Sequence, residues 1–232
     1  PIAGSMILAG TLLKLGGYGI LRVNSLNNGS FLPTANFLII FSLIGVLFSA
    51  ILCSRQTDMK SLIAFSSVSH MGLVVAASMI KTEWSISGSM ILMVSHGLVS
   101  SALFCLANTS YERLHTRTLN TIQGLQIIFP LAAAWWLLSV LMNLALPPSP
   151  NFVGEMSILI SLFQWSNFTL LFTGLSIIFT SIYSLYLFWS SQREYPPTHL
   201  KFVFPIQTRE HMLLSLHVFP MLLLILNPPL LF

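Results

Sequence analysis

Asn143-Leu144-Ala145-Leu146-Pro147-Pro148-Ser149-Pro150-Asn151 divides one apolar stretch of the chain, about 124–165, into two pieces near 130–146 and 152–165. Three prolines within positions 147–150 cannot continue a helix. Each removes a backbone donor, and its ring collides with the preceding turn. Outward from this break lie further apolar runs, near 3–23, 35–54, 61–80, 86–108, 168–190 and 211–231. Each is close to the roughly 20 residues that a helix needs to cross a bilayer.

Composition supports lipid as the surrounding solvent. Of 232 residues, 55% are hydrophobic and only 7% charged, and the mean hydropathy is +0.83. A soluble domain carries about 25% charged residues, because water must wet its surface. Ten Lys and Arg against six acids give a net charge of +4. That is too sparse for a nucleic-acid footprint, which needs clustered basic residues. Cys53 and Cys105 sit in apolar runs without a C-x-x-C partner. No disulfide framework, zinc site or iron–sulfur site is expected from them. Pro1 is read as marking a fragment, and no signal peptide precedes the first run.

Loop charge decides whether the broken region crosses once or twice. Arg55, Lys60, Arg113, Arg117, Arg193, Lys201 and Arg209 lie in the connections after spans two and four and in the 191–210 connection, whereas the others carry only Arg22 and Lys81. One crossing puts the seven on one side against two on the other. Two crossings nearly erase that bias, so the positive-inside rule selects one. The expected fold class is therefore all-α, a polytopic transmembrane helix bundle of about seven crossings with one discontinuous helix at 124–165. It forms a single transmembrane domain over 1–232. Broken backbone at membrane depth is tolerated where protein buries it or it lines a watery cavity, and such helices typically sit at transport sites. An ordinary surface loop at 147–151 is the plainer alternative.

Four ionisable residues fall inside spans. Lys14 lies mid-way along the first, His70 along the third and His96 along the fourth, and Glu155 follows the proline break. Side-by-side packing of these helices would line the four up in a row at the bilayer midplane. An intramembrane charge costs a few kcal/mol at least, so function is the default reading. A neutral histidine bonded to a neighbouring serine can instead be packing glue between helices. Burial disfavours the charged form of a lysine or a carboxylate, and histidine changes charge near neutral pH unaided. The group reads as a proton relay, with Glu155 expected to feel a half-helix N-terminus. Gly16-Gly17-Tyr18-Gly19 lacks the context of a dinucleotide fingerprint and reads as a close-packing element. Asn28-Gly29-Ser30, Asn108-Thr109-Ser110 and Asn167-Phe168-Thr169 match the glycosylation triplet by chance, and Trp84, Trp135, Trp136, Trp165 and Trp189 are candidate interface aromatics. No metal-ligand cluster or nucleophile triad is present in the pattern.

PIAGSMILAGTLLKLGGYGILR at 1–22, RQTDMKSLIAFSSVSHMGLVV at 55–75, SHGLVSSALFCLANTSYERLHTR at 95–117 and NLALPPSPNFVGEMSIL at 143–159 carry a resemblance along essentially the whole chain. It resembles the C-terminal half of the chain 4 family of mitochondrial NADH-ubiquinone oxidoreductase, antiporter-like subunits of respiratory complex I. The resemblance implies a 14-helix subunit represented here from its eighth helix onwards, with an earlier buried glutamate and lysine upstream of Pro1. It implies that Lys14, His70, His96 and Glu155 belong to a central hydrophilic axis that moves protons when NADH reduces ubiquinone elsewhere in the complex. No cofactor is expected on this chain, since NADH, FMN, the iron–sulfur clusters and ubiquinone would bind other subunits. The implied partners are the other membrane-arm subunits and the lipid bilayer, with no nucleic acid. The implied location is the mitochondrial inner membrane, with the loops around 55–60, 110–121 and 191–210 in the matrix. An Mrp-type sodium/proton antiporter subunit is the alternative. A seven-helix receptor is disfavoured, since it would place its basic loops after spans one, three and five.

Overall fold

A computed structural model of the chain describes residues 2–26, 32–193 and 204–226. The end of the last expected span (227–231), residues 194–203 of the 191–210 connection including Lys201, and the Asn28-Gly29-Ser30 triplet lie outside the described residues. The rest is helical. A first rod comprises α1 (Ile2–Ile7), a π-helical segment (Leu8–Leu12) and α2 (Leu13–Leu26). There follow α3 (Leu32–Ser54), α4 (Met59–Ile80), α5 (Glu83–Leu114), a short α6 (Leu125–Ile128), α7 (Pro130–Asn143), α8 (Pro150–Trp165), α9 (Thr169–Gln192) and α10 (Thr208–Leu226). Among the described residues, six helices are long and apolar enough to cross a membrane, and α7 is a shorter apolar helix.

The centre of the bundle is α5, which packs against α1, α2, α4, α7, α8 and α10. Its sequence shows why. A helix that is apolar or small on every face belongs inside, and Gly88, Ser89, Ser95, Gly97, Ser100, Ser101, Ala102 and Ala107 let neighbours approach closely. The serines are satisfied within their own helices, as where Ser95 donates to Ile91 O at 2.8 Å and Ser101 to Leu98 O at 2.9 Å. Such internal bonding is what a hydroxyl needs where water is scarce. With 32 residues, α5 overruns its 86–108 apolar window. Helix-compatible pairs extend it, with Asn108 donating to Glu112 and Arg113 to Thr109 O. His115, in the left-handed region at φ 53°, ends it.

Close approach falls at four glycines, among them Gly72 of α4, where a Cβ would lie 2.6 Å from Val46 Cγ2. A Cβ on Gly154 of α8 would sit 3.0–3.2 Å from the backbone and Cβ of Leu92 on α5. One on Gly88 would collide with Ser157, and one on Gly17 would lie 2.8 Å from Met93 Sδ. Gly16 and Gly19 have nothing within 4 Å, so the packing role expected of that glycine cluster falls to Gly17. The tryptophans divide in the same way. Trp84 and Trp189 are exposed, whereas Trp136 is fully buried in the core and is no interface anchor.

At the break, α7 stops at Asn143, the chain turns through Ala145 at φ 56°, and the peptide between Pro147 and Pro148 is cis. A left-handed alanine costs about 1–2 kcal/mol, so the turn needs outside support. That support comes from Asn151, whose Nδ2 donates to Met142 O at 2.9 Å. It thereby satisfies one of the carbonyls that a helix C-terminus leaves over. Ser149 caps α8, accepting from Phe152 N at 3.4 Å. Pro150 occupies the first helical turn, where its missing N–H costs nothing.

Candidate functional site

The four intramembrane ionisable residues come from the first rod, α4, α5 and α8, and the packing around α5 brings them into one sequence of neighbours. Lys14 begins it, buried at 9% exposure. Its Nζ donates to Ala9 O, five residues back on its own helix. A π turn widens the helical ring by one residue, so a carbonyl at its edge is available to a side chain. Lys14 Cε lies 3.7 Å from the position a Gly97 Cβ would take, so the lysine stem runs along α5 beside His96. The imidazoles of His96 and His70 are 4.6 Å apart between centroids and tilted by 38°. His70 Nδ1 then reaches Glu155 Oε1 at 3.2 Å. The order is Lys14, His96, His70, Glu155.

Both histidines are essentially fully buried, and among the described residues their four ring nitrogens have no aligned hydrogen-bond partner. The serines beside them do not hold them. Ser69 bonds Ser66 O, and Ser95 bonds its own helix and Asn151. The histidine–serine glue considered from the sequence is therefore not the arrangement found here. A second difference concerns Glu155. It is the sixth residue of α8, and no acid lies in that helix's first turn. A helix macrodipole acts within its first turn, so the partner of Glu155 is His70 and not the half-helix N-terminus.

Electrostatics makes the row behave as a unit. Two charged imidazoles 4.6 Å apart repel by roughly 4 kcal/mol at an effective dielectric of about 20. The histidine pair therefore holds at most one excess proton at a time. Lys14 in its charged form opposes a charge on His96.

Three residues around this row escaped the sequence reading. Asn151 sits one turn before Glu155 on the same face of α8 and accepts from Ser95, the neighbour of His96, which pins the break to α5. Tyr183 of α9 is fully buried, with its hydroxyl beside Ser69 but not aligned for a hydrogen bond, and it lies in electrostatic range of Glu155. His217 of α10 lines a cavity of about 680 Å³ together with Lys14. His217 was open to the rule that singled out His70 and His96, since it too stands well inside an apolar run. Asn151 and Tyr183 carry no such mark, because neither residue type is rare enough in a span.

A family model of NADH:quinone oxidoreductase/Mrp antiporter transmembrane proteins matches residues 1–181. The chain belongs to this family. Within the NADH:quinone oxidoreductase/Mrp antiporter family, it is 57% identical over 230 residues to NADH-ubiquinone oxidoreductase chain 4 of Scyliorhinus canicula, covering 99% of this chain and 50% of that protein. It is 55% identical over 230 residues to chain 4 of Struthio camelus, again covering 99% and 50%. The chain thus spans about half the length of the curated relatives it matches. Among solved structures, it superposes on a chain of respiratory complex I from Thermus thermophilus with bound NADH with a TM-score of 0.77, at 24% identity, covering 97% of this chain and 45% of that one. A chain of the Mrp complex from Dietzia gives 0.82 at 20% identity, covering 96% and 24%. At these identities the superpositions establish the antiporter-like fold, and they do not separate the activities of the family's branches.

Proposed function

We propose that this chain is part of a membrane-arm subunit of proton-pumping NADH:ubiquinone oxidoreductase, and that Lys14, His96, His70 and Glu155 relay protons through it. The observation that carries the reading is the unbroken order of four ionisable groups across four helices, ending in the 3.2 Å contact of His70 with Glu155. Groups that can alternate between holding and releasing one proton, set side by side in this order, suit proton transfer. Electron transfer from NADH through FMN and iron–sulfur clusters to ubiquinone takes place on other subunits. Changes there alter the charge at one end of the row, and the repulsion between His96 and His70 passes the change along. In this reading α7 and α8 together make one crossing, as the basic-loop bias favours. The loops around 55–60, 110–121 and 191–210 face the mitochondrial matrix.

The test is Glu155→Gln and Lys14→Ala in the full-length subunit within the assembled complex. Each is expected to impair proton pumping and coupled turnover while the complex still assembles. Wild-type proton-to-electron stoichiometry and turnover in both assembled variants would overturn the relay. The Mrp-type antiporter alternative predicts a protein that does not co-purify with NADH dehydrogenase activity. The 57% identity to a chain 4 against 20% to the Mrp chain favours the oxidoreductase.

A further inference from the structure

The row accounts for one side of Lys14 only. On another side opens the cavity of about 680 Å³, whose polar lining is Lys14, Thr11, Tyr18, Ser101 and His217 among methionine and aliphatic side chains. Thr11 and Ser101 each donate their hydroxyl hydrogen to a carbonyl of their own helix, Ile7 O at 2.8 Å and Leu98 O at 2.9 Å. Their oxygens therefore remain acceptors toward the cavity. His217 is half-buried, and its Nδ1 lies 2.8 Å from Leu213 O. A carbonyl accepts only, so Nδ1 carries the hydrogen and Nε2 is the acceptor of the neutral ring. With α10 starting at Thr208, His217 lies about 14 Å along its axis. That is near the middle of the crossing, as Lys14 is in its own rod.

Of the other ionisable groups of α10, Arg209 lines a different cavity and two are engaged elsewhere. His211 accepts from Trp135 Nε1 at 3.2 Å, and Glu210 pairs with Arg113 of α5. Tyr18 lies under the guanidinium of Arg22, 5.5 Å from its ring centre. On the Lys14 side, the ammonium spends one of its three donors on Ala9 O. The other two are available to the cavity and to His96.

We propose that His217 is a second proton-exchange partner of Lys14, on a branch across this cavity that is distinct from the His96 branch. In the exchange, the Lys14 ammonium gives a proton to one end of a chain of cavity water as the other end passes one to His217 Nε2. Lys14 is left neutral and His217 becomes an imidazolium; the reverse transfer restores both, and no electron moves. A lysine in a relay must be loaded from one neighbour and emptied into another. His96 and His217 supply those two neighbours on two different helices.

The inference rests on the relay reading above, so its test carries Glu155→Gln alongside. In the assembled complex with the full-length subunit, His217→Ala should lower coupled turnover and pumping about tenfold, below the hundredfold or more typical of a lost proton-transfer group because water in the vacated space can still exchange with Lys14. Added imidazole, which the cavity has room for, should restore it. Pyrazole, similar in shape but far too weak a base to carry a proton near neutrality, should not. Wild-type pumping in His217→Ala beside an impaired Glu155→Gln would overturn the branch and leave the relay standing. Wild-type behaviour in both would remove the relay itself. Equal rescue by the two azoles would reduce His217 to a filler of space. If His217→Ala fails to assemble, His217→Gln keeps a donor for Leu213 O but cannot take up a proton. Reduced pumping in that variant supports the branch, and wild-type pumping refutes it.

Discussion

Replacing Gly154 by alanine should damage proton transfer through geometry alone, without touching an ionisable group. The added Cβ would lie 3.0 Å from Leu92 N, 3.1 Å from Leu92 Cβ and 3.2 Å from Leu92 Cα. None of these is the end of a flexible side chain, so the helices themselves must separate. Restoring ordinary contact near 3.6 Å requires α8 to retreat by roughly half an ångström. Overpacking of this kind typically costs about 1–3 kcal/mol. Glu155 is the next residue and moves with the backbone. Its contact with His70 would lengthen from 3.2 Å to about 3.7 Å if the shift is transmitted in full. Misplacement by 1 Å can cost about a hundredfold in rate, so half that distance corresponds to about tenfold. The assay is NADH:ubiquinone turnover and proton translocation normalised to assembled complex, measured on native gels and in sealed vesicles. Gly16→Ala is the control, since a Cβ there meets nothing within 4 Å. Turnover per assembled complex in Gly154→Ala equal to that of Gly16→Ala would refute the claim that α8 is held at its closest approach for the sake of Glu155.

Asn151→Ala removes the side-chain donor to Met142 O and the cross-helix partner of Ser95, so the tie between the break and α5 is lost although Met142 O keeps Ala145 N and Ser95 keeps Ile91 O. A loss of about 1–3 kcal/mol is expected, read as a lower temperature of dissociation of the subunit. An unchanged temperature would mean that the break does not depend on that suture. His70→Ala and His96→Ala should each slow coupled turnover less than Glu155→Gln does, because water can occupy the vacated ring's place. Strong loss of assembly with normal turnover of the residual complex would assign the histidines to packing instead.

The identity of the four groups was legible because lipid makes them rare. A lysine in Leu12-Leu13-Lys14-Leu15 stands out in a chain with 7% charged residues, and counting along each span places it in depth. Their order was not legible. Position along a span says how deep a residue lies but not which way it faces, and the neighbours of His96 depend on how α4, α5 and the first rod are rotated against one another. The expectation that a half-helix N-terminus supports Glu155 failed for a local reason. Ser149 caps α8 and Pro150 starts it, so Glu155 comes one and a half turns in. The same two facts explain what positions it. Asn151 and Glu155 stand four apart and share a face of α8. With Asn151 tied back to Met142 O and engaged by Ser95, that face is turned toward α5 and α4, and Glu155 follows onto His70. The proline break thus sets the start of α8 so that one amide anchors it and a carboxylate one turn later completes the row. Inserting or deleting one residue between Asn151 and Glu155 would rotate Glu155 by about 100° and separate it from His70, even with all four ionisable residues still present.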